Sequence, residues 1–316
     1  MFVRRIFLLD RHTLCGLGAI LIWSTSIALA RSITEQIGAL TAAAAVHLVG
    51  GTFCLGHHFF FGQNSLHQVR RLSSKYLFGC GTLFVLYMLA LFLAIGSAAD
   101  RRQVLEIGLI NYLWPALTII FSLFLLKLKA NLLLAPGTLL ALLGIFLVLR
   151  PDNPTSLTSI FTNIASNPLS YSLAMIAAVS WALYSNLTRR WAGPESSGGV
   201  VLFLPAAGII LLLLRLGSIE ESLWNWRVVG EVIFMGLATA LGYVLWDIAM
   251  RKGNLVFVAA FSYFTPFFST LLSCIYLGIA GGVALWLGCL LIVAGSFLSW
   301  AAVSAKGFPT SHHNKL

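Results

Sequence analysis

The sequence predicts an all-α membrane protein, with ten transmembrane helices built as two inverted five-helix repeats. Three observations predict this fold class: the composition, the number of long apolar runs, and landmarks that recur between the two halves. Of 316 residues, 59% are hydrophobic and 9% are charged, with a mean hydropathy of +0.91, whereas soluble domains carry about 25% charged residues. The composition therefore favours lipid as the solvent of the chain.

The apolar runs are continuous, and each is long enough to cross about 30 Å of hydrocarbon as a helix. We expect spans at residues 13–32, 37–60, 76–97, 104–126, 131–150, 168–190, 198–216, 228–250, 255–278 and 282–304. An even number of spans places both termini on the same side of the membrane.

The distribution of Lys and Arg predicts that this side is the cytoplasm. With the N-terminus inside, 14 of the 20 basic residues fall in cytoplasmic connections, which leaves six outside, and such an excess marks cytoplasmic loops. The formal net charge of +10 does not favour nucleic acid as a partner, because the basic residues form short clusters between apolar runs. We expect the lipid bilayer as the partner surface, and no nucleic acid.

Landmarks of the first half recur in the second at one offset of 151 residues: Asn111-Tyr112-Leu113-Trp114-Pro115 resembles Ser262-Tyr263-Phe264-Thr265-Pro266, and Gly137 and Gly144 match Gly288 and Gly295. Trp23 and Trp181 each precede an arginine by eight residues in spans one and six. Because each half has five spans, the second half enters the membrane from the opposite side. We expect one repeat over 1–150, the inverted repeat over 168–304 and a cytoplasmic tail over 305–316.

Inverted repeats of this kind predict transport. They place a substrate site near the midplane of the membrane, and exchange between two nearly equal arrangements gives alternating access. Pro115 and Pro266 lie within apolar runs, where each removes a backbone hydrogen bond and permits a hinge. The alternative is that both prolines only shape helix packing.

Aromatic and polar side chains within the apolar spans are candidates for the substrate site. Trp181 and Tyr184 share a stripe with Thr188 in span six, and Tyr243, Trp246 and Asp247 share a face of span eight. A wall of such rings suits planar aromatic solutes and cations, although aromatics at membrane interfaces are commonly anchors. The remaining candidates are Trp23, Ser24, Tyr87, Asn111, Tyr112, Trp114 and Tyr263. Helical angles place Asn111 and Trp114 on one side and Tyr112 roughly opposite.

Three titratable residues are candidates for charge or proton coupling. Glu106 suits a substrate ammonium or a proton, but it also suits an ion pair with Arg102. Asp247 precedes Arg251 by four residues, which favours a structural ion pair. His47 suits either a proton-linked switch or a hydrogen bond between helices.

Signatures of enzymes are missing from the sequence. It contains no phosphate-binding loop, no GxSxG and no HExxH, and the five cysteines form no CxxC pair. His57-His58 and His312-His313 have no acidic or cysteine companions at ligand spacing. We therefore expect no catalytic residues, no metal site and no cofactor.

Several segments carry a resemblance to a known family: residues 106–115, Asn167-Pro168-Leu169-Ser170-Tyr171, Trp246 with Gly253-Asn254, and residues 262–266. They resemble the bacterial aromatic amino acid exporters of the drug/metabolite transporter superfamily, EamA type, from Leu17 to about Trp300. The resemblance implies export of Phe, Tyr and Trp across the bacterial inner (plasma) membrane, without a cofactor. It implies a cavity lined by Trp23, Tyr87, Tyr112, Trp114 and Trp181. Asp247 departs from the neutral Asn expected there.

Two alternatives stay open at this level. A related transporter of lipophilic cations or nucleobase-like metabolites would use the same aromatic wall, and a membrane enzyme or scaffold is a more distant alternative. Facilitated and ion-coupled export are both compatible with the candidate residues. Glycine-rich helix faces pack within or between subunits, so the sequence predicts no oligomeric state.

Overall fold

α-Helices dominate the computed structural model, which describes residues 10–61, 72–99, 107, 110–149, 165–192, 199–265, 267–269, 271 and 283–304. The helices are α1 (Arg11–Ile37), α2 (Ala39–Phe61), α3 (Gly81–Gly96), α4 (Trp114–Leu125), α5 (Leu134–Leu149), α6 (Pro168–Trp191), α7 (Val200–Leu216), α8 (Trp226–Lys252), α9 (Leu255–Phe261) and α10 (Val283–Ala302). A π-helical turn, Lys75–Cys80, precedes α3, and a 3₁₀ turn, Ser262–Phe264, follows α9. Strands β1 (Lys129–Ala130) and β2 (Val303–Ser304) pair antiparallel.

Three helical stretches within the described ranges are long and apolar enough to cross a membrane: Ala39–Phe60, Lys75–Ile95 and Trp226–Lys252. Large apolar side chains such as Phe60, Phe124 and Leu132 are exposed on the surface, which suits lipid as the surrounding solvent. α6 is less uniformly apolar because it buries Ser185 and Asn186 together with aromatic rings. The predicted membrane class and helical content are confirmed.

Polar side chains mark where four helices begin. Asp10, Asn167, Asn225 and Asn254 each accept a hydrogen bond from a backbone N–H three residues later, at the starts of α1, α6, α8 and α9. Such caps satisfy donors that the first helical turn leaves unpaired. Basic residues occupy the last turns of α6 and α8, where they complement the helix dipole.

Glycines allow several helices to approach at backbone distance. A Cβ atom on Gly144 of α5 would lie 2.6 Å from the carbonyl oxygen of Gly288 on α10, and one on Gly50 of α2 would lie 2.6 Å from the carbonyl of Gly236 on α8. Small residues of this kind let membrane helices pack closely without a hydrophobic driving force. The α5–α10 contact therefore depends on the glycines that the repeat pattern singled out.

Pro115 does not lie inside a continuous helix, so that expectation was wrong. Tyr112 and Leu113 form a turn, and α4 begins at Trp114 with Pro115 in its first turn. A proline there loses no helical hydrogen bond and its fixed φ suits helix initiation. Tyr263, the matching tyrosine of the second half, lies in the 3₁₀ turn after α9. Pro266, Glu106 and the segment 305–316 lie outside the described residues.

The connection between α7 and α8 caps the start of α2. The Glu220 carboxylate accepts hydrogen bonds from the backbone N–H groups of Leu40 (2.9 Å) and Thr41 (3.0 Å), which the first helical turn leaves unpaired. Nη2 of Arg215 donates to the Glu220 carbonyl oxygen at 2.6 Å. Gly38 permits this approach, because it adopts φ +83° and a Cβ there would meet the carboxylate.

Replacing Glu220 with alanine is expected to destabilise the protein by about 1–2 kcal/mol, because two helix donors lose a charged acceptor. The measurement is the thermal midpoint of the purified protein in detergent. Glu221→Ala is the matched control, since Glu221 is an exposed neighbour. An equal loss in both variants would contradict the capping role.

Candidate functional site

Aromatic rings from several helices meet around Trp181 of α6. Its ring is stacked on Tyr184 of the same helix, with centroids 5.1 Å apart, and lies 4.7 Å from the ring of Tyr87 on α3. Trp23 of α1 meets it edge-on at 5.4 Å. Trp246 of α8 lies 5.1 Å from Trp23. The rings adopt the edge-to-face and offset geometries that aromatic quadrupoles favour.

A cavity of about 200 Å³ opens against this aromatic group. Its wall comes from α1, α2, α3, α4, α6 and α8, from Asn111 and Tyr112 just before α4, and from Thr265. Seven of the eleven candidate substrate residues lie on this wall: Trp23, Tyr87, Asn111, Tyr112, Trp114, Trp181 and Tyr243. The structure thus brings together residues from both halves of the chain.

The other four candidates do not lie on the cavity wall. Ser24 donates its hydroxyl to the carbonyl oxygen of Ile20 within α1, at 2.7 Å. Trp246 is fully buried, and its Nε1 donates to Oγ of Ser185 on α6 at 3.2 Å. Tyr184 and Tyr263 are also fully buried. Trp246 and Tyr184 pack against wall residues, since their rings lie 5.1 Å from those of Trp23 and Trp181, respectively.

Tyr112 lies on the wall with Asn111 and Trp114, contrary to the expectation from ideal helical angles. The reason is the turn at Tyr112 and Leu113, which interrupts the helix and changes the direction of the following side chains. In a continuous helix, residues 111 and 112 would point about 100° apart. The interruption therefore brings neighbouring residues to one surface.

Trp23 reaches the site because Gly242 leaves room for its ring. A Cβ atom on Gly242 of α8 would lie 2.7 Å from Nε1 of Trp23. The indole is therefore seated against the backbone of α8, where it also contacts Tyr243 at a centroid distance of 5.3 Å. The position of this ring depends on contact between the two halves.

The polar side chains on the wall are few. They are His47, Asn111, Thr239 and Thr265. Oγ1 of Thr265 is buried and has no hydrogen-bond partner among the residues that the structure describes. Because an unsatisfied buried polar group costs free energy, this hydroxyl is suited to a polar group of a bound solute.

His47 lies on the wall and also bonds within its own helix. Its Nδ1 is 2.7 Å from the carbonyl oxygen of Ala43, and its Nε2 is 3.2 Å from Sδ of Met88 on α3. Since a carbonyl only accepts, Nδ1 carries the hydrogen in this contact. Of the two alternatives that the sequence left for His47, the contact with Met88 is the one between helices, since it joins α2 to α3.

Asp247 forms a buried ion pair away from the cavity wall. One carboxylate oxygen lies 2.8 Å from Nε of Arg251, and the other accepts from the hydroxyl of Tyr76 at 2.9 Å. The Tyr76 oxygen accepts in turn from the backbone N–H of Gly199 at 2.8 Å. Nη1 of Arg189 donates to the carbonyl oxygen of Arg251 at 2.7 Å. The network joins α6 and α8 to the π-helical turn before α3 and to the residue that precedes α7.

Sequence reasoning missed several contributors to the site. Met88 and Thr239 lie on the wall, and Phe84 packs beneath it against Tyr243 and Tyr184, with centroids 5.1 and 5.5 Å away. Phe84 lies three residues before Tyr87 and four before Met88, so the periodicity of span three carried a signal for both. In the described part of the chain, no three His, Cys, Asp or Glu side chains converge as metal ligands would.

Comparison with known proteins identifies the family. The model of the EamA-like transporter family matches residues 12–150 and 168–301. The chain belongs to the EamA-like transporter family. It is therefore a multi-pass membrane transporter and not an enzyme.

Relatives of this EamA-like transporter include two proteins named as exporters. The aromatic amino acid exporter YddG of Salmonella typhimurium is 34% identical over 94% of this chain and 99% of its own length. The protein of that name from Escherichia coli is 35% identical over 93% of this chain and 98% of its own length. A solved crystal structure, 28% identical, aligns with a TM-score of 0.76 over 92% of this chain and 98% of that chain.

Proposed function

We propose that this EamA-like transporter exports the aromatic amino acids Phe, Tyr and Trp across the bacterial inner membrane by alternating access. The observation that carries the proposal is the cavity walled by Trp23, Trp114, Trp181, Tyr87 and Tyr243. Stacked and edge-on rings bind a planar aromatic side chain. The names of the YddG relatives from two enterobacteria support the same substrate class.

The polar wall residues would receive the head group of the amino acid. The Asn111 amide can donate to a carboxylate or accept from an ammonium, and the Thr239 and Thr265 hydroxyls can do either. No carboxylate side chain lies among the described residues of the wall, which favours a zwitterion over a dication. Glu106 and His47 stay candidates for charge or proton coupling.

We assign ten transmembrane helices in two inverted repeats, over residues 1–150 and 168–304. The most extensive helix contacts support this assignment, because they are preserved when each helix is exchanged for the one five places along the chain. Under that exchange α2–α7, α4–α9 and α5–α10 map onto themselves, α1–α8 maps onto α6–α3, and α1–α9 maps onto α6–α4. Such symmetry allows two equivalent arrangements of opposite accessibility.

We assign both termini and the 305–316 tail to the cytoplasm, because Lys and Arg are in excess in the connections on that side. With this orientation the cavity extends toward the periplasm, since its wall includes Ala30 and Ile95 near the outer ends of α1 and α3. The cytoplasmic half below the rings is filled by Tyr76, Phe84 and Tyr184, which are fully buried. The arrangement is outward-facing. The helix interruptions before Pro115 and Pro266 are the proposed hinges of the change from the outward-facing to the inward-facing arrangement.

Purified protein in proteoliposomes is expected to carry labelled Phe and Trp saturably, with each competing with the other. The measurement is uptake and efflux with and without an imposed pH gradient, against liposomes lacking protein. A flux that follows the pH gradient would establish proton coupling. A flux that does not respond to the pH gradient would establish facilitated transport. Competition by a lipophilic dication but not by Phe, or absence of flux in folded protein, would contradict the proposed substrate class.

A further inference from the structure

The wall of the open cavity has a counterpart on the closed side. Tyr87, Leu91 and Ile95 follow one another at intervals of four residues on α3 and line the cavity. On α8, Tyr243, Asp247 and Arg251 have the same spacing, and the offset from 87 to 243, 91 to 247 and 95 to 251 is 156 residues each time.

The contacts of these two series correspond as well. Tyr87 packs on Trp181 with ring centroids 4.7 Å apart, and Tyr243 packs on Trp23 at 5.3 Å. α3 packs against α6 as α8 packs against α1. Leu91 and Ile95 on the open side therefore occupy positions equivalent to those of Asp247 and Arg251 on the closed side.

Closure alone does not explain the two charges. Asp247 and Arg251 are 2% and 8% exposed, and desolvation offsets most of the attraction within such a buried pair. The equivalent positions on α3 are Leu91 and Ile95, so in the opposite arrangement two apolar side chains would close the periplasmic half without any charge. Because apolar residues could fill these two positions in the closed state, we look for the role of the ion pair in the inward-facing state of the transporter.

We infer that Asp247 and Arg251 form a cytoplasmic entry subsite for the zwitterionic head group of an α-amino acid. The inference rests on the proposed alternating access, since the subsite is exposed only when the exchange of repeats opens the cytoplasmic half. The Asp247 carboxylate then accepts from the substrate ammonium, and the Arg251 guanidinium donates to the substrate carboxylate in a charge-assisted pair. When the entrance closes, the two side chains pair with each other again and with Tyr76.

The test compares three ligands that share an indole ring: tryptophan, tryptamine, which lacks the carboxylate, and indole-3-propionate, which lacks the ammonium. Transport is measured in inside-out and right-side-out vesicles, which present the cytoplasmic and periplasmic faces. The decisive variant is Asp247→Leu with Arg251→Ile, because it reproduces the α3 pattern and removes both partners of the described ion pair. The double variant Arg227→Gln with Glu231→Gln is the matched control, as this pair lies four residues apart on the outer end of the same helix.

The Asp247→Leu, Arg251→Ile variant is expected to raise the KM for tryptophan at the cytoplasmic face about tenfold, because two charge-assisted contacts are lost. The KM values of both analogues should change less than the KM for tryptophan. The KM for tryptophan at the periplasmic face should change less than about twofold. In the control variant, the KM for tryptophan should change less than about twofold at both faces. Asp247→Asn alone should spare indole-3-propionate, and Arg251→Gln alone should spare tryptamine.

An equal change in KM for all three ligands, or an equal change in the KM for tryptophan at both faces, would indicate a purely structural role for the ion pair and overturn the inference. An unchanged tryptophan KM at the cytoplasmic face of the folded double variant would do the same. Failure of the proposed function has a different signature, since folded wild-type protein would then carry no tryptophan in either type of vesicle.

Discussion

Trp181→Ala is expected to reduce transport of tryptophan about tenfold or more, measured as kcat/KM in proteoliposomes. Trp181 contacts Trp23, Tyr87 and Tyr184 at centroid distances of 4.7–5.4 Å and also lies on the cavity wall. One aromatic pair contributes about 0.5–1.5 kcal/mol beyond the area that it buries, and about 1.4 kcal/mol is a factor of ten. Alanine removes the ring that a substrate would contact and loosens the rings around it.

Trp114→Ala is expected to act in the same direction, because Trp114 faces the same cavity and lies 5.2 Å from Trp246. Trp181→Phe should give an intermediate loss, since a smaller ring still stacks. Trp226→Ala is the matched control: this tryptophan is 91% exposed at the start of α8. Normal transport by folded Trp181→Ala and Trp114→Ala proteins would remove both residues from the substrate site.

Gly144→Leu is expected to disrupt the α5–α10 contact and to lower the yield of folded protein severalfold. A Cβ atom at this position would lie 2.6 Å from the carbonyl oxygen of Gly288 and 2.7 Å from the backbone nitrogen of Ile292. Backbone atoms cannot rotate away as a flexible side chain can, so the helices must separate. Overpacking of this kind costs about 1–3 kcal/mol or more.

The measurement for Gly144→Leu is the fraction of monodisperse protein after extraction and its thermal midpoint in detergent. Gly230→Leu is the control, because a Cβ atom at Gly230 of α8 meets nothing within 4 Å among the described residues. Wild-type yield and midpoint in Gly144→Leu would show that α5 and α10 do not depend on the backbone contact. Gly295→Leu tests the same contact from α10, where a Cβ would lie 2.6 Å from the carbonyl oxygen of Gly137.

Under the proposed alternating access, the two predictions concern helices that would rearrange and helices that would keep their contact. Trp181 and Trp23 belong to α6 and α1, which contact several other helices and carry polar side chains in their interiors. α5 and α10 pack mainly on each other through glycines. In the proposed mechanism, a substrate site at the interface of two repeats would need α1 and α6 to rearrange, while α5 and α10 would keep their contact.

The sequence by itself determined the features that depend on solvent and local periodicity. Lipid requires continuous apolar helices, so the helical membrane class followed from composition and run length. The stacked rings of Trp181 and Tyr184 followed from their spacing on one helix. The glycine landmarks also followed from sequence, because only a residue without a side chain permits the contact between Gly144 and Gly288.

The tertiary structure decided which candidates share one cavity, because that depends on where helices break and on which neighbours they meet. The turn at Tyr112 and Leu113 brings Tyr112 to the wall, although an uninterrupted helix would point it away. Trp246 carries the same kind of ring as Trp23, yet a hydrogen bond to Ser185 holds it behind the wall. Glu220 caps a helix 180 residues earlier in the chain. Such contacts join distant segments, and the local pattern of a sequence does not specify which segments meet.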